Sequence, residues 1–232
     1  MNVKLVSTTS SRIDGINNAE EIIVYCARVS NPKNQLNKES SPKLLSFLIK
    51  HKHWSPFELA SMSLEIKTSR GIAAQILRHR SFSFQEFSQR YSEAQELEPL
   101  KLRKKADKNR QSSSDNFTDS LLITKVREHT ARSISLYNSL ISAGVAKESA
   151  RFILPLTTET TMYMQGSIRS WIHYIDLRSQ ENTQQEHREI AEACRQIFID
   201  EFPNISIALG WNKKSEQKNI RQQRRTGSLG NR

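Results

Sequence analysis

The sequence predicts one α+β domain, because helical and strand-like patterns both occur and do not alternate as regular βαβ units. Amphipathic helical spacing recurs between residues 17 and 201, and the strictly alternating run 61–67 predicts a half-buried strand. A chain of 232 residues is long enough to bury the core that such elements need.

The helical patterns carry apolar stripes and recognisable ends. Ser41-Pro42 places a cap before a proline at the first helical position, and Gly144 ends a long stripe that contains Tyr137. The Thr-rich run 157–164 favours a strand. The predicted helices are 17–29, a helix beginning at Ser41-Pro42, 71–79, 119–143, a short helix before Pro155, 167–177 and 183–201.

The composition excludes several classes of protein. Seven Gly and six Pro argue against a fibrous or low-complexity chain. No apolar run approaches the ~20 residues of a membrane span, and the N-terminal apolar stretch is too short for a signal peptide. The only two cysteines, Cys26 and Cys194, lie far apart in helical patterns, so we expect inert reduced thiols in a cytoplasmic protein.

The formal charge of +11 is concentrated in two hydrophilic segments without periodicity. Residues 212–232 hold seven basic residues and one acid, and the stretch 100–118 holds six basic residues and two acids. We interpret 1–211 as the domain, 100–118 as a basic loop and 212–232 as a disordered tail. The tail either binds nucleic acid non-specifically through phosphates or only aids solubility, so the charge does not decide the function.

Side chains suited to chemistry are concentrated in residues 75–91. If the helix reaches residue 79, Gln75, Arg78 and His79 project from one side and offer an amide, a guanidinium and an imidazole. In an extended segment Glu86, Ser88 and Arg90 share a second side. Such a set suits an anionic ligand that also makes hydrogen bonds, because arginine binds phosphate bidentately. A solvated helix end followed by a loop is the alternative interpretation.

The motif Arg78-His79-Arg80, followed after seven residues by Ser88, resembles the signature of the flavin-dependent thymidylate synthases. Further blocks agree in order and spacing over roughly residues 20–210. They are His53-x-Ser55-Pro56-Phe57-Glu58, Glu86-x-Ser88-x-Arg90-Tyr91, Ala150-Arg151-x-x-Leu154-Pro155 and Arg169-Ser170 followed by Leu177-Arg178. The resemblance implies a single α+β domain with a small mixed or antiparallel sheet flanked by helices, assembled as a homotetramer.

By this resemblance the protein methylates dUMP to dTMP. The resemblance further implies FAD as the hydride carrier, methylenetetrahydrofolate as the carbon donor and NADPH as the reductant. Arg178 matches the residue that ionises uracil N3 and so activates the ring. The implied dUMP-binding residues are Gln75, Ile76, Leu77, Arg78, Glu86, Phe87, Ser88, Gln89, Arg90, Arg151 and Arg178, contributed by different subunits.

The resemblance also implies a set of FAD-binding residues: Ser55, Arg78, His79, Arg80, Glu86, Ser167, Ile168, Arg169 and His173. The sequence departs from the family where many relatives have Asn in place of Gln85 and Ser167, and where some have Asn in place of His173. His53 resembles a histidine near the flavin, and a capping or buried polar role is the alternative.

Other patterns point to different chemistry only weakly. Neither a P-loop nor a GxGxxG motif occurs. His51, His53 and His187 lack the ligand spacing of a metal site, so we expect no metal. The second functional hypothesis is a basic nucleic-acid-binding protein, which explains the two basic segments and leaves Glu86 among the arginines unexplained.

Overall fold

The computed structural model describes residues 1–93, 96–106 and 113–211, so the predicted tail 212–232 lies outside the described residues. These residues divide into two compact units. Unit 1 comprises Met1–Lys4, Leu64–Gln165 and Tyr174–Ala193, and unit 2 comprises Leu5–Ser63, Gly166–His173 and the described part of Cys194–Arg232. The predicted α+β class is confirmed.

Six strands form two small sheets in the described part of the chain. A four-stranded sheet has the order β1-β2-β6-β3, and β4 pairs with β5 in a second sheet. The strands are β1 Asn2–Thr8, β2 Ser61–Ser69, β3 Ser83–Glu86, β4 Arg103–Lys105, β5 Ser113–Asn116 and β6 Glu159–Ser167.

The central strands have the alternation that the sequence predicts. In β2, Met62, Leu64 and Ile66 are fully buried and their neighbours are half-buried. Strand β3 runs antiparallel to β6 with Glu86 opposite Met162. Because side chains in a strand alternate with period 2, this register fixes which residues of β3 share a face of the sheet.

Eight α-helices account for most of the remaining described residues. The predicted long helix is present as Ser120–Ser142, with Asp119 capping it by accepting a hydrogen bond from the Leu122 N–H at 3.1 Å. The helices are α1 Ala19–Ala27, α2 Ser41–Lys50, α3 Arg70–Ile76, α4 Ser120–Ser142, α5 Lys147–Ala150, α6 Ile168–Arg178, α7 Gln185–Glu201 and α8 Pro203–Ala208.

Two boundaries near residues 75–91 differ from the sequence prediction. Helix α3 ends at Ile76, three residues early, and residues 77–80 form turns. Strand β3 ends at Glu86, and Ser88 instead begins a turn in which its carbonyl accepts the Tyr91 N–H at 3.1 Å. Strand β3 pairs with β6 over Ser83–Glu86, and periodicity within the segment carries no information about that partner.

The basic segment 100–118 is partly ordered into strands, contrary to the loop that its composition suggests. Strands β4 and β5 pair antiparallel, with Arg103 opposite Asn116, and residues 107–112 lie outside the described part. Arg103 forms an ion pair with Glu186, also in unit 1, with 2.6 Å between Nη1 and Oε1.

The two thiols differ in their surroundings. Cys194 is fully buried and Cys26 is half-buried, and both are free. Burial raises the pKa of both groups, which disfavours the reactive thiolate. No helix in the described part of the chain combines the length and apolar character needed to cross a membrane.

Unit 2 contains a buried carboxylate that joins α1 to the start of α8. Glu20 is 4% exposed, and its oxygens accept the Ile205 N–H at 2.7 Å and the Asn204 amide at 2.8 Å. Burial raises the pKa of Glu20, and hydrogen bonds to Ile205 and Asn204 oppose that rise. The first turn of α8 therefore depends on a side chain that is distant in sequence.

We expect Glu20→Ala to lower the free energy of unfolding by about 2–4 kcal/mol, because it leaves a buried N–H without its acceptor. Glu20→Gln keeps an oxygen for Ile205 and should cost less than half as much. Urea denaturation measures both, with the exposed Glu39→Ala as a control. Equal losses for Ala and Gln would contradict the capping role.

Candidate active site

The predicted motif residues Gln75 to Arg80 lie at the end of α3 and in the turns that follow. Gln75 and His79 are half-buried, whereas Arg78 and Arg80 are exposed. The His79 N–H donates to the Ile76 carbonyl at 3.0 Å. Gln75 is therefore in the helix and Arg78 and His79 follow its end, so the three do not form the single helical face that the sequence predicted.

His79 is bound to Arg178, the predicted catalytic residue. The Arg178 Nε–H donates to His79 Nε2 at 2.9 Å. An arginine nitrogen can only donate, so Nε2 of this imidazole is the acceptor and the ring proton of the neutral form lies on Nδ1. Arg178 is the last residue of α6 and is half-buried. Its Nη1 and Nη2 groups carry the other four N–H donors of the guanidinium.

A fully buried histidine lies beside this pair. His187 Nε2 is 3.2 Å from the Tyr174 hydroxyl, and its Nδ1 is 3.3 Å from Gln75 Oε1. Burial, followed by the positive charge of Arg178 and the neighbouring His79, lowers the pKa of His187 to about 3. It is therefore neutral at physiological pH and acts as one donor and one acceptor.

Glu86 is held by two donors on one oxygen. Its Oε1 lies 2.8 Å from Arg70 Nη1 and 2.9 Å from Thr160 Oγ1. Arg70 begins α3 and Thr160 lies in β6. These donors leave the orientation of the carboxylate fixed and its Oε2 available as an acceptor. A single carboxylate among arginines is thus explained as a specific hydrogen-bond acceptor.

Arg90 and Arg151, two residues of the predicted dUMP set, meet at Glu148. Arg90 Nη2 lies 3.2 Å from a Glu148 carboxylate oxygen, and Arg151 Nε donates to the Glu148 carbonyl at 3.3 Å. The structure therefore brings two guanidiniums of unit 1 to one acidic residue. The arginine–carboxylate pair is largely exposed, with 67% and 58% of the side chains accessible.

The remaining residues of the predicted dUMP set differ in accessibility. Ile76 is fully buried, so its side chain belongs to the core and cannot contact a ligand directly. Leu77, Phe87 and Ser88 are exposed. The Gln89 side chain is buried, and its Nε2 makes no hydrogen bond to the described residues. An unsatisfied buried amide donor is costly, and a ligand oxygen would remove that cost.

Five predicted FAD residues lie in unit 2. Arg169 Nη1 is 2.8 Å from Glu58 Oε1, and the Ser167 hydroxyl donates to the same carboxylate. The Ser167 hydroxyl, and then the Arg169 guanidinium, hold the pKa of Glu58 below its usual value. Ser55 and His173 are exposed. Ile168 is fully buried and its N–H donates to the Ala60 carbonyl, so its side chain is a core residue.

Sequence reasoning missed the partners that hold these residues. Arg70, Thr160 and Glu148 each contact a predicted site residue. Thr160 had a signal in the sequence, because it lies in a Thr-rich strand pattern. Arg70 and Glu148 carried none, since their contacts depend on tertiary structure. In the part of the chain that the structure describes, no three His, Cys, Asp or Glu side chains are grouped to hold a metal ion.

Comparisons with known proteins point to the same family as the motif blocks in the sequence. Residues 5–204 match the family model described as "Thymidylate synthase complementing protein". A probable flavin-dependent thymidylate synthase of Paramecium bursaria Chlorella virus 1 is 54% identical over 215 residues, which cover 91% of this chain and 100% of the relative. A flavin-dependent thymidylate synthase of Synechocystis is 51% identical over 217 residues, with 91% and 100% covered.

A solved structure shares the fold. The crystal structure of a UMP/dUMP methylase from Streptomyces cacaoi, bound with 5-Br dUMP, superposes with a TM-score of 0.75. It is 24% identical, and the match covers 90% of this chain and 94% of the other.

The buried His187 makes stability depend on pH. Its pKa in the folded chain, about 3, lies below the ordinary 6.5. Between those values the unfolded chain binds a proton that the folded chain does not, so the free energy of unfolding falls as the pH is lowered. From pH 7 to pH 5 we expect His187 to contribute about 2 kcal/mol to this fall.

Carboxylates titrate as well, so a matched variant isolates the histidine. His187→Gln cannot gain the charge and should lose about 2 kcal/mol less stability than the wild type between pH 7 and pH 5. Urea denaturation at both pH values measures the difference. The same pH dependence in both proteins would show that His187 titrates normally.

Proposed function

This chain belongs to the thymidylate synthase complementing protein family, the flavin-dependent thymidylate synthases, and from that premise we propose that it converts dUMP to dTMP. Methylenetetrahydrofolate donates the carbon, and bound FAD, reduced by NADPH, supplies the hydride. The enzyme assembles as a homotetramer whose subunits share each site. The observation that carries the proposal is the half-buried Arg178, fixed through Nε by His79 at 2.9 Å.

The role of Arg178 follows from what the methylation requires. A more electron-rich uracil attacks a one-carbon electrophile more readily, and ionising N3 moves electron density toward C5. A guanidinium held in place stabilises that anion electrostatically without reorganising. His79 occupies the Nε–H, so the planar fork of Nη1 and Nη2 is the part of Arg178 that can face the uracil.

The dUMP phosphate suits the two arginines at Glu148. Phosphate oxygens accept charge-assisted hydrogen bonds from guanidinium groups, and both Arg90 and Arg151 lie at this residue. The exposed pair between Arg90 and Glu148 is weak, because water screens such pairs. A phosphate can therefore replace the carboxylate at small cost. The buried Gln89 amide and the fixed Glu86 carboxylate supply a donor and an acceptor for the rest of the nucleotide.

The residues present also fit FAD, whose diphosphate is anionic and whose ring and ribityl chain form hydrogen bonds. In unit 2 the Ser167 hydroxyl and the Arg169 guanidinium lie together at Glu58, and Arg169 is 53% exposed. In unit 1 the exposed guanidiniums of Arg78 and Arg80 offer the same chemistry. Each of these two groups of side chains, taken by itself, suits the diphosphate or the polar edges of the cofactor.

One cation of the basic segment is already paired within the protein, which does not favour the nucleic-acid alternative. That cation, Arg103, forms a bidentate ion pair with Glu186 at 2.6 and 2.8 Å. The Arg103 side chain is 11% exposed, so its charge is neutralised by Glu186 within unit 1 and is not offered to a phosphate.

Loss of Arg151 tests phosphate recognition. We expect Arg151→Ala to weaken dUMP binding by about ten- to a hundredfold, because a charge-assisted hydrogen bond is worth roughly 1.5–3 kcal/mol. Calorimetric titration of the FAD-loaded protein measures the affinity, and Arg132→Ala, an exposed arginine of α4, is the control. Unchanged dUMP affinity together with normal FAD content would leave Arg151 a structural residue beside Phe152.

Arg178→Lys separates chemistry from binding. Lysine keeps the positive charge but loses both the planar fork and the Nε–H that His79 accepts. We expect kcat for dTMP formation to fall at least about a hundredfold, as for loss of a donor to a developing anion. Reduction of FAD by NADPH should stay close to wild type, because that half-reaction needs no activated uracil.

Stopped-flow reduction beside steady-state dTMP formation measures both steps. Arg188→Lys is the matched control, since Arg188 donates to the Glu181 carbonyl at 3.2 Å and belongs to neither proposed binding set. Near-normal dTMP turnover in Arg178→Lys would refute the role. Equal loss of both half-reactions would instead indicate a loss of flavin or of folding.

A further inference from the structure

The carboxamide of Gln75 is held from both of its ends. Its Nε2 donates to Gln184 Oε1 at 2.6 Å, and its Oε1 lies 3.3 Å from His187 Nδ1. Gln75 belongs to the proposed dUMP site, whereas neither of its two partners does. An amide that rotates freely presents its oxygen or its nitrogen to a ligand with similar ease, so two fixed partners decide which group faces which way.

The directions of these hydrogen bonds determine the state of His187. Because Gln75 Nε2 is the donor to Gln184, the atom facing His187 is the acceptor Oε1. His187 must then carry its proton on Nδ1, and its Nε2 accepts from the Tyr174 hydroxyl at 3.2 Å. The low pKa of His187 agrees with this neutral form. A charged imidazole would face the Tyr174 oxygen with a second N–H and would lose this arrangement.

The other end of the amide leads to the basic segment. Gln184 Nε2 donates to Glu186 Oε2 at 3.0 Å, which leaves Gln184 Oε1 facing Gln75. Both carboxylate oxygens of Glu186 accept hydrogen bonds from Arg103, at 2.6 Å from Nη1 to Oε1 and 2.8 Å from Nη2 to Oε2. The two side chains are 11% and 16% exposed. A bidentate pair with so little exposure is far more rigid than a solvated one.

We propose that His187 on one side, and Arg103 with Glu186 on the other, are positioning residues that fix the orientation of Gln75 for dUMP. The inference rests on the proposed function, because it gives Gln75 a nucleotide as its ligand. With one N–H and one oxygen lone pair committed, Gln75 keeps one N–H and one lone pair for the nucleotide. The strands β4 and β5 thereby become part of the scaffold of the site.

Two substitutions at His187 separate positioning from packing. In His187→Asn the amide nitrogen occupies the place of Nδ1, by count of bonds from Cα, and still donates to Gln75 Oε1. In His187→Gln the amide reaches the place of Nε2, so the Tyr174 contact is kept and the donor to Gln75 is lost. We expect dUMP affinity within about threefold of wild type for Asn and a roughly tenfold loss for Gln.

A second pair of variants tests the Arg103–Glu186 ion pair. Arg103→Ala removes the fork on Glu186, and we expect it to weaken dUMP binding by about three- to tenfold, because the loss reaches Gln75 through two intervening side chains. Lys104→Ala removes an exposed cation from the same strand and should leave the affinity unchanged. Calorimetric titration of the full-length, FAD-loaded proteins gives the dUMP affinity, and thermal denaturation with FAD content reports folding.

Equal changes in dUMP affinity for His187→Asn and His187→Gln, in proportion to their loss of Tm, would overturn the proposal. A second measurement needs no variant: long-range ¹H–¹⁵N correlation of the wild type should find the His187 proton on Nδ1, and a proton on Nε2 would equally overturn it. If wild-type protein fails to bind dUMP at all, the proposed function fails, while the NMR result still decides whether His187 holds Gln75.

Discussion

The antiparallel register of β3 on β6 is the constraint on which the candidate site depends. It places Glu86 opposite Met162 and within 2.9 Å of Thr160 through its side chain. The same carboxylate accepts a hydrogen bond from Arg70, the first residue of α3. A slip of one residue would turn Glu86 to the other face of the sheet and break both contacts. The start of α3 is thus tied to the sheet through one oxygen, and Gln75 lies five residues further along the same helix.

Beyond that tie, the site is organised by groups whose polar atoms have assigned roles. His79 accepts from Arg178, and His187 donates to Gln75 while accepting from Tyr174. These roles interlock because a neutral imidazole has only one donor and one acceptor. Burial favours the neutral form of His187 and strengthens its hydrogen bonds, since few water molecules compete for them. The sheet fixes where the residues are, and this network fixes which of their atoms face a ligand.

The sequence predicted those strands and helices that local patterns of apolar residues encode. Alternation predicted the strand at 61–67, which is confirmed within Ser61–Ser69, and the stripe ending at Gly144 predicted the helix observed at Ser120–Ser142. The motif blocks identified the family. What local patterns could not encode was a partner distant in sequence. The ordering of Arg103 against Glu186 arises from a contact between distant segments, so the composition of 100–118 predicted a loop there. Periodicity also placed the end of α3 three residues late.

The ion pairs differ in exposure in a way that matches their proposed tasks. Two pairs have the less exposed side chains. Arg103 and Glu186 are 11% and 16% exposed, and Arg70 and Glu86 are 33% and 18% exposed. Breaking a shielded pair leaves an uncompensated charge, which is costly, so these pairs are suited to hold structure. Two other pairs are more exposed. Arg90 and Glu148 are 67% and 58% exposed, and Arg169 and Glu58 are 53% and 41% exposed. Such pairs contribute about 1 kcal/mol or less. Before a ligand binds, the carboxylate holds the arginine side chain in an accessible position. A phosphate brings a greater negative charge to the same guanidinium and can then displace the carboxylate.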